Sequence, residues 1–276
     1  MILLDVYSIA TQKPMYKGPE DTLFEAVELM VKHKFRRIPV VYVEAREEIE
    51  ELIGIVTAND VLELVDEHGL KVLDALLHEV MVPEPIAVMR EEDLGRATEL
   101  MVVNKFGGLP IVSDQMNTIA GIVTERDLVK AFVNSIADAT LTEFMTEPIT
   151  MPMSRNTIKK ILKKMHKGRV SRIILTGKDN SIEGIITNSD LLTKIYNAKI
   201  SGNEEEFMKT PLKDVATKNV ITVNVHDSMA DVAKFLLEKG LGGVPVLDDD
   251  DTLVGMFSER ELLNMIGTFQ LFSEFD

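Results

Sequence analysis

"GIVTERDLV", residues 121–129, reads as the end of an apolar strand, a sharp corner, and the first turn of a helix. Three looser copies lie elsewhere: "GIVTANDVL" from Gly54, "GIITNSDLL" from Gly184 and "GMFSERELL" from Gly255. Their glycines are separated by 67, 63 and 71 residues, so the chain is organised as an internal repeat. A second shared block precedes each corner: "FRRIPVV" (35–41), "FGGLPIV" (106–112), "VSRIILT" (170–176) and "LGGVPVL" (241–247). Amphipathic stretches come before these blocks, as in "TLFEAVELMVKHK" (22–34), "TIKKILKKMHKG" (157–168) and "SMADVAKFLLEKG" (228–240). Short lead-ins come earlier still: "VMVPEPIAV" (80–88), "FMTEPITM" (144–151) and "VATKNVITV" (215–223). Each unit therefore reads strand, helix, strand, turn, strand, helix. The acidic hairpins at 44–51 and 248–251 read as solvated turns, because consecutive turn carboxylates rarely converge on one cation.

Composition narrows the function classes. The chain has 276 residues, with 45% apolar and 27% charged residues, as in soluble globular proteins. It has no Cys, which removes disulfides, thiolate metal sites and cysteine nucleophiles, and fits a reducing, cytoplasmic setting. No signal peptide is expected, since Asp5 ends the first apolar run, and no stretch approaches a membrane span. A net charge of −15 argues against nucleic-acid binding, so an anionic ligand needs locally placed Arg or Lys. The five histidines show no zinc-ligand spacing and no phosphate-binding loop is present, so neither an enzyme nor a metal site is expected. His33 and His166 fall at helix ends, where the helix dipole explains them.

At the corners, Thr57, Thr124, Thr187 and Ser258 are each followed three residues later by an acid: Asp60, Asp127, Asp190 and Glu261. That spacing is a capping box. It suits Ser258 and Glu261 best, since Asp is short for reaching back. A rigid Asp at a helix N-terminus can also bind the cis-diol of a ribose, with Thr assisting. Arg36 and Arg37 precede Pro39 in the first unit and Arg172 lies there in the third, where the second and fourth have Gly107, Gly108, Gly242 and Gly243. At the second variable corner position the alternation reverses: Arg126 and Arg260 in the even units, Asn59 and Ser189 in the odd ones. If consecutive units pair, positive charge from both partners meets at one site per pair, and arginine suits phosphate.

The block G-h-h-[ST]-x-x-[DE], with h an apolar residue, follows h-P-h and recurs four times. It resembles the cystathionine β-synthase (CBS) domain, two of which form a Bateman module. The whole resembles the regulatory gamma subunits of AMP-activated protein kinase and their stand-alone archaeal relatives. The resemblance implies an α/β (α+β) chain of four β-α-β-β-α repeats, at 1–66, 74–136, 137–199 and 207–269. They would pair into pseudo-two-fold modules, 1–136 and 137–276, that form a disk. It implies one cleft per repeat, with ribose on the corner acid, the base on the partner's lead-in, and phosphate on basic residues. The first cleft would use Thr57, Asp60, Arg36, Arg37 and Arg126, with the base near Val82, Pro83, Pro85 and Ile86. The third would use Thr187, Asp190, Arg172 and Arg260, with the base near Thr217, Val220 and Ile221. It departs from the family pattern at Ser171 and Ile174. The second, with Thr124 and Asp127 beside glycines, suits an uncharged adenosyl group. The fourth is expected to be empty or weak, Glu261 filling the ribose position.

The leading expectation is a non-enzymatic sensor of AMP, ADP or ATP, with no catalytic cofactor. It would have an unnamed effector protein as partner and no nucleic-acid or membrane partner, and would be a monomeric four-repeat disk or a homodimer. A sensor of S-adenosylmethionine or methylthioadenosine and a scaffold with vestigial clefts are the alternatives.

Overall fold

The computed structural model of the chain describes residues 5–44, 49–113, 117–136 and 139–273, the last five by backbone alone. The four repeats are each built from a short leading helix, an amphipathic helix and a corner helix. In the first these are α1 (Val6–Ile9), α2 (Leu23–His33) and α3 (Ala58–His68), with strands β1 (Thr11–Gln12), β2 (Arg37–Glu44) and β3 (Ile49–Thr57). The second has α4 (Leu77–Val80), β4 (Val82–Pro83), β5 (Val88–Met89), α5 (Leu94–Asn104), β6 (Gly108–Val112), β7 (Ile119–Thr124) and α6 (Glu125–Phe132). The third has α7 (Leu141–Phe144), β8 (Thr150–Pro152), α8 (Ile158–Gly168), β9 (Arg172–Thr176), β10 (Ile182–Thr187) and α9 (Asn188–Ser201). The fourth has α10 (Glu204–Lys209), β11 (Val223–Asn224), α11 (Met229–Lys239), β12 (Gly243–Leu247), β13 (Leu253–Ser258) and α12 (Glu259–Ser273).

The amphipathic periodicity becomes burial. Leu23, Ala26, Val27 and Met30 of α2 are buried, as are Ile158, Ile161, Leu162 and Met165 of α8. Each amphipathic helix ends on a left-handed residue (Lys34, Lys105, Arg169 or Gly240), which turns the chain into the next strand. The two blocks of each repeat then form an antiparallel hairpin, with a register shift one or two residues from the repeated glycine. Of the acidic hairpins, residues 45–48 lie outside the described residues. Asp248 takes backbone N–H bonds from Asp250 and Thr252, as a solvated turn does.

Contacts gather the chain into two compact units: Met15–Pro85 with Ile149–Val220, and Met1–Pro14 with Ile86–Pro148 and Ile221–Asp276. Helices therefore pack odd repeat with odd and even with even. In the first unit α3 meets α8 and α2 meets α9, around one core that runs from Leu23 through Leu62 and Ile161 to Ile195. In the second unit α12 meets α5 and α6, over cores containing Leu236, Phe257 and Leu262, and Leu109, Leu128 and Leu263.

The lead-ins are exchanged between consecutive repeats. β1, from the first repeat, pairs with β7 of the second, and β4, from the second, pairs with β3 of the first. Thr146 bridges Met256, and Thr217 bridges Ile185, in the same manner. This exchange explains the repeated glycine. A Cβ on Gly54 would lie 2.2 Å from Met81 Sδ, one on Gly121 3.0 Å from the Thr11 carbonyl, one on Gly184 3.0 Å from Ala216 Cβ, and one on Gly255 2.5 Å from Met145 Sδ. The motif needs Gly there because another segment lies against that face.

Candidate functional site

The corners are built as the spacing predicts, with one correction. Asp does reach back. The Thr57 N–H and Oγ1 both donate to Asp60 Oδ2, at 2.7 and 2.8 Å. Thr124 does the same to Asp127 Oδ2, at 2.9 and 2.6 Å, and Thr187 to Asp190 Oδ2, at 2.8 and 2.7 Å. The box uses one carboxylate oxygen for both bonds, so Oδ1 of each Asp takes no part in it. Capping and ligand binding are therefore compatible uses of one residue. In the fourth corner Ser258 Oγ donates to Glu261 Oε2, and both residues are buried.

Burial pushes the Asp60 carboxyl above the usual carboxylate range; the two bonds from Thr57 oppose that shift, and the nearby Glu63 charge adds to it. A carboxylate made costly by desolvation gains more from two hydroxyl donors than an exposed one does.

Strand register decides what faces each corner. Arg37 lies opposite Thr57 and Arg172 opposite Thr187, whereas Gly108 and Gly243 lie opposite Thr124 and Ser258. Arg36 is exposed, and its carbonyl accepts the Ala58 N–H at 2.8 Å, tying the arginine block to the first turn of α3. The lead-ins come to the same strands. Val82 and Pro83 lie beside Ile55 and Gly54, and Thr217 beside Ile185. The structure thus brings together Thr57, Asp60, Arg37, Val82 and Pro83 in one unit, and Thr187, Asp190, Arg172 and Thr217 likewise. Pro85 and Val220 end the stretches that belong to that unit; Ile86 and Ile221 begin stretches of the other. Val82, Ile86 and Ile221 are exposed apolar side chains.

Arg126 and Arg260 have partners that the sequence reading missed. Arg126 Nε lies 2.5 Å from Glu259 Oε1, and Arg260 Nε 2.5 Å from Glu125 Oε1. Arg260 also donates to the carbonyls of Met101 and Lys105, at 3.0 and 3.1 Å. The second variable position of one even corner meets the first variable position of the other. Among the odd corners the same positions meet as amides, Asn188 Nδ2 donating to Asn59 Oδ1. The legible signal was the shared Glu-Arg in "TERD" and "SERE", against Asn59 in "TAND" and Asn188 in "TNSD". His166 also does more than cap α8, its ring nitrogens each lying 3.2 Å from an α3 carboxylate, those of Glu63 and Asp66.

The family model described as the CBS domain matches residues 6–67, 77–134, 141–197 and 212–268. MJ1225 of Methanocaldococcus jannaschii is 23% identical over 264 residues, 89% of this chain and 92% of that protein. Its crystal structure, described as that of a proposed archaeal homologue of g-AMPK, superposes with a TM-score of 0.84 over 95% of this chain and 100% of that one. A conserved protein from Pyrococcus horikoshii, 18% identical, superposes with a TM-score of 0.62 over 95% of this chain and 100% of that one. The inosine-5'-monophosphate dehydrogenase of Bacillus subtilis is 22% identical over 83% of this chain, a match spanning 42% of that enzyme.

Proposed function

The chain belongs to the CBS domain family, and from that premise we propose that it is a non-enzymatic regulatory protein that binds adenine nucleotides at its Thr-Asp corners. One observation carries the reading. Thr57, Asp60 and Arg37 are held together by a capping box and a strand register, with the exposed Val82 on the adjoining lead-in strand. The free Oδ1 of Asp60 suits a ribose hydroxyl, the Arg36–Arg37 block suits phosphate, and Val82 offers an apolar surface to a base. The third corner repeats the arrangement with Thr187, Asp190 and Arg172. Arg126 and Arg260 enter as phosphate readers only where a nucleotide displaces Glu259 and Glu125. The exchange of lead-ins supports consecutive modules, 1–136 and 137–276. A cytoplasmic setting, a single four-repeat chain or homodimer, and a separate effector protein complete the reading. Sensing requires that a nucleotide bind one conformation better than another.

Titration calorimetry with AMP, ADP and ATP tests this. Binding is expected, weakened strongly in Asp60→Ala, and Arg37→Ala is expected to lower affinity for AMP more than for adenosine. If no adenosyl compound binds, the chain is a scaffold and its corners are caps alone.

A second reading applies at one corner. Gly108 instead of Arg stands opposite Thr124, which favours an adenosyl group without phosphate, such as methylthioadenosine or S-adenosylmethionine. Competition of either compound with AMP separates the two readings.

A further inference from the structure

The segment 155–172 holds eight Lys and Arg residues and no Asp or Glu, so the rest of the chain carries a charge of −23 within a total of −15 that includes this segment's +8. Its centre is α8. The apolar face of that helix is sealed: Ile158, Ile161, Leu162 and Met165 are at most 2% exposed. The opposite face presents Lys159, Lys160, Lys163, Lys164 and Lys167, all exposed, with Arg155 before the helix and Arg169 after it. Among the described residues none of these seven cations lies within ion-pair distance of a carboxylate. Pairs such as Lys159–Lys163, Lys160–Lys164 and Lys163–Lys167 are like charges at i, i+4, which destabilise a helix, and the first two lysines also oppose its dipole. The charge pattern of this face therefore does not favour the helix. His166, held between Glu63 and Asp66 of α3, fixes the helix with its lysines outward. Lys160, Lys163, Lys164 and Lys167 edge a shallow concavity of about 520 Å³, closed by Ile149 and Gly168.

We infer that this face is a docking surface for an acidic segment of a partner protein. Charge complementarity selects the occupant. A helix of 11 residues is about 16 Å long, a span matched by about five residues of extended peptide. Carboxylates on such a segment reach the lysines, and an apolar side chain among them meets Ile149. A nucleic acid fits less well, because a longer polyanion runs onto a body that is −23 outside this segment. An anionic membrane fits less well too, since the apolar face needed for insertion is buried in the core. The inference goes beyond nucleotide binding and its test does not depend on it.

The test is fluorescence anisotropy of the full chain with labelled deca-glutamate, a labelled ten-nucleotide single strand, and phosphatidylserine vesicles. Deca-glutamate is expected to bind, with affinity falling steeply between about 50 and about 200 mM salt. K163E/K164E/K167E is expected to lose about tenfold or more in affinity, whereas K71E/K213E/K234E, an equal change in net charge, retains it. K163A/K164A/K167A, whose exposed alanines favour helix, repeats the loss without charge reversal. Absence of peptide binding, or equal losses in the two charge-reversed proteins, overturns the inference. So does binding of the oligonucleotide or the vesicles that is as tight as the peptide's and equally dependent on these lysines.

Discussion

Asp60 is asked to do two things that pull against each other. Its carboxyl is partly desolvated, and its pKa is raised first by that burial and further by Glu63. A folded-state pKa above the unfolded value means that the folded chain binds the proton more readily. Stability from this group is present below the unfolded pKa of about 3.9 and is lost as pH rises through the folded pKa. Asp60→Asn removes the cost of the charge and keeps an oxygen for the Thr57 bonds. It is therefore expected to match or exceed the parent in melting temperature at pH 7, an advantage that disappears in acid, while losing nucleotide affinity. A lower melting temperature at pH 7 would show that the ionised carboxylate is a structural asset. Thr57→Ala, in contrast, leaves Asp60 with fewer donors and should cost about 1 kcal/mol in denaturant unfolding. The corner's hydroxyl and acid were legible from spacing alone. The use of a single Asp oxygen was not, because only the backbone angle at the strand end decides how far a short side chain reaches back.

Elements explain what single residues leave ambiguous. The alternation of Arg126 and Arg260 against Asn59 and Ser189 reads in the sequence as phosphate recognition. In the fold it is also a contact between helix N-termini, Arg126 with Glu259 and Arg260 with Glu125. Glu259 is 7% exposed in this pair and Arg126 35%, so the interaction lies between a surface pair and a buried one. Arg126→Ala leaves a buried carboxylate without its cation and is expected to destabilise by about 1–3 kcal/mol. The exchange Arg126→Glu with Glu259→Arg should recover most of that loss, and a double-mutant cycle by denaturant unfolding measures it. Additive losses would mean that the two side chains are not coupled. The glycines give a second element-level expectation. Gly184→Ala brings a Cβ to 3.0 Å from Ala216 Cβ and 3.1 Å from the Thr217 carbonyl, and overpacking of this kind costs about 1–3 kcal/mol. Hydrogen exchange should show the Ile185–Thr217 bridge opening first. Uniform loss of protection would place the strain elsewhere.

At the scale of the molecule, each compact unit is assembled from separated stretches of chain. The core around Leu62 and Ile195 is shared by the first and third repeats. A protein truncated to residues 1–136 therefore keeps the exchanged lead-ins of the first two repeats but leaves the apolar faces of α2 and α3 uncovered. It is expected to self-associate through them, seen as a dimer or larger species in analytical ultracentrifugation; a stable monomer would mean that those faces close on themselves. The sequence by itself determined the four repeats, their helices and hairpins, and the corner residues. These follow from periods of 2 and 3.6 residues, from turn chemistry, and from a capping spacing, all of which act within about a dozen neighbours. Tertiary structure alone decided that helices pack odd with odd and even with even, that lead-ins are exchanged, and that Arg126 and Arg260 meet glutamates. Such contacts join residues from about thirty to well over a hundred positions apart, and no local pattern states which of four similar faces meets which. That choice is made by the shape and charge of whole surfaces.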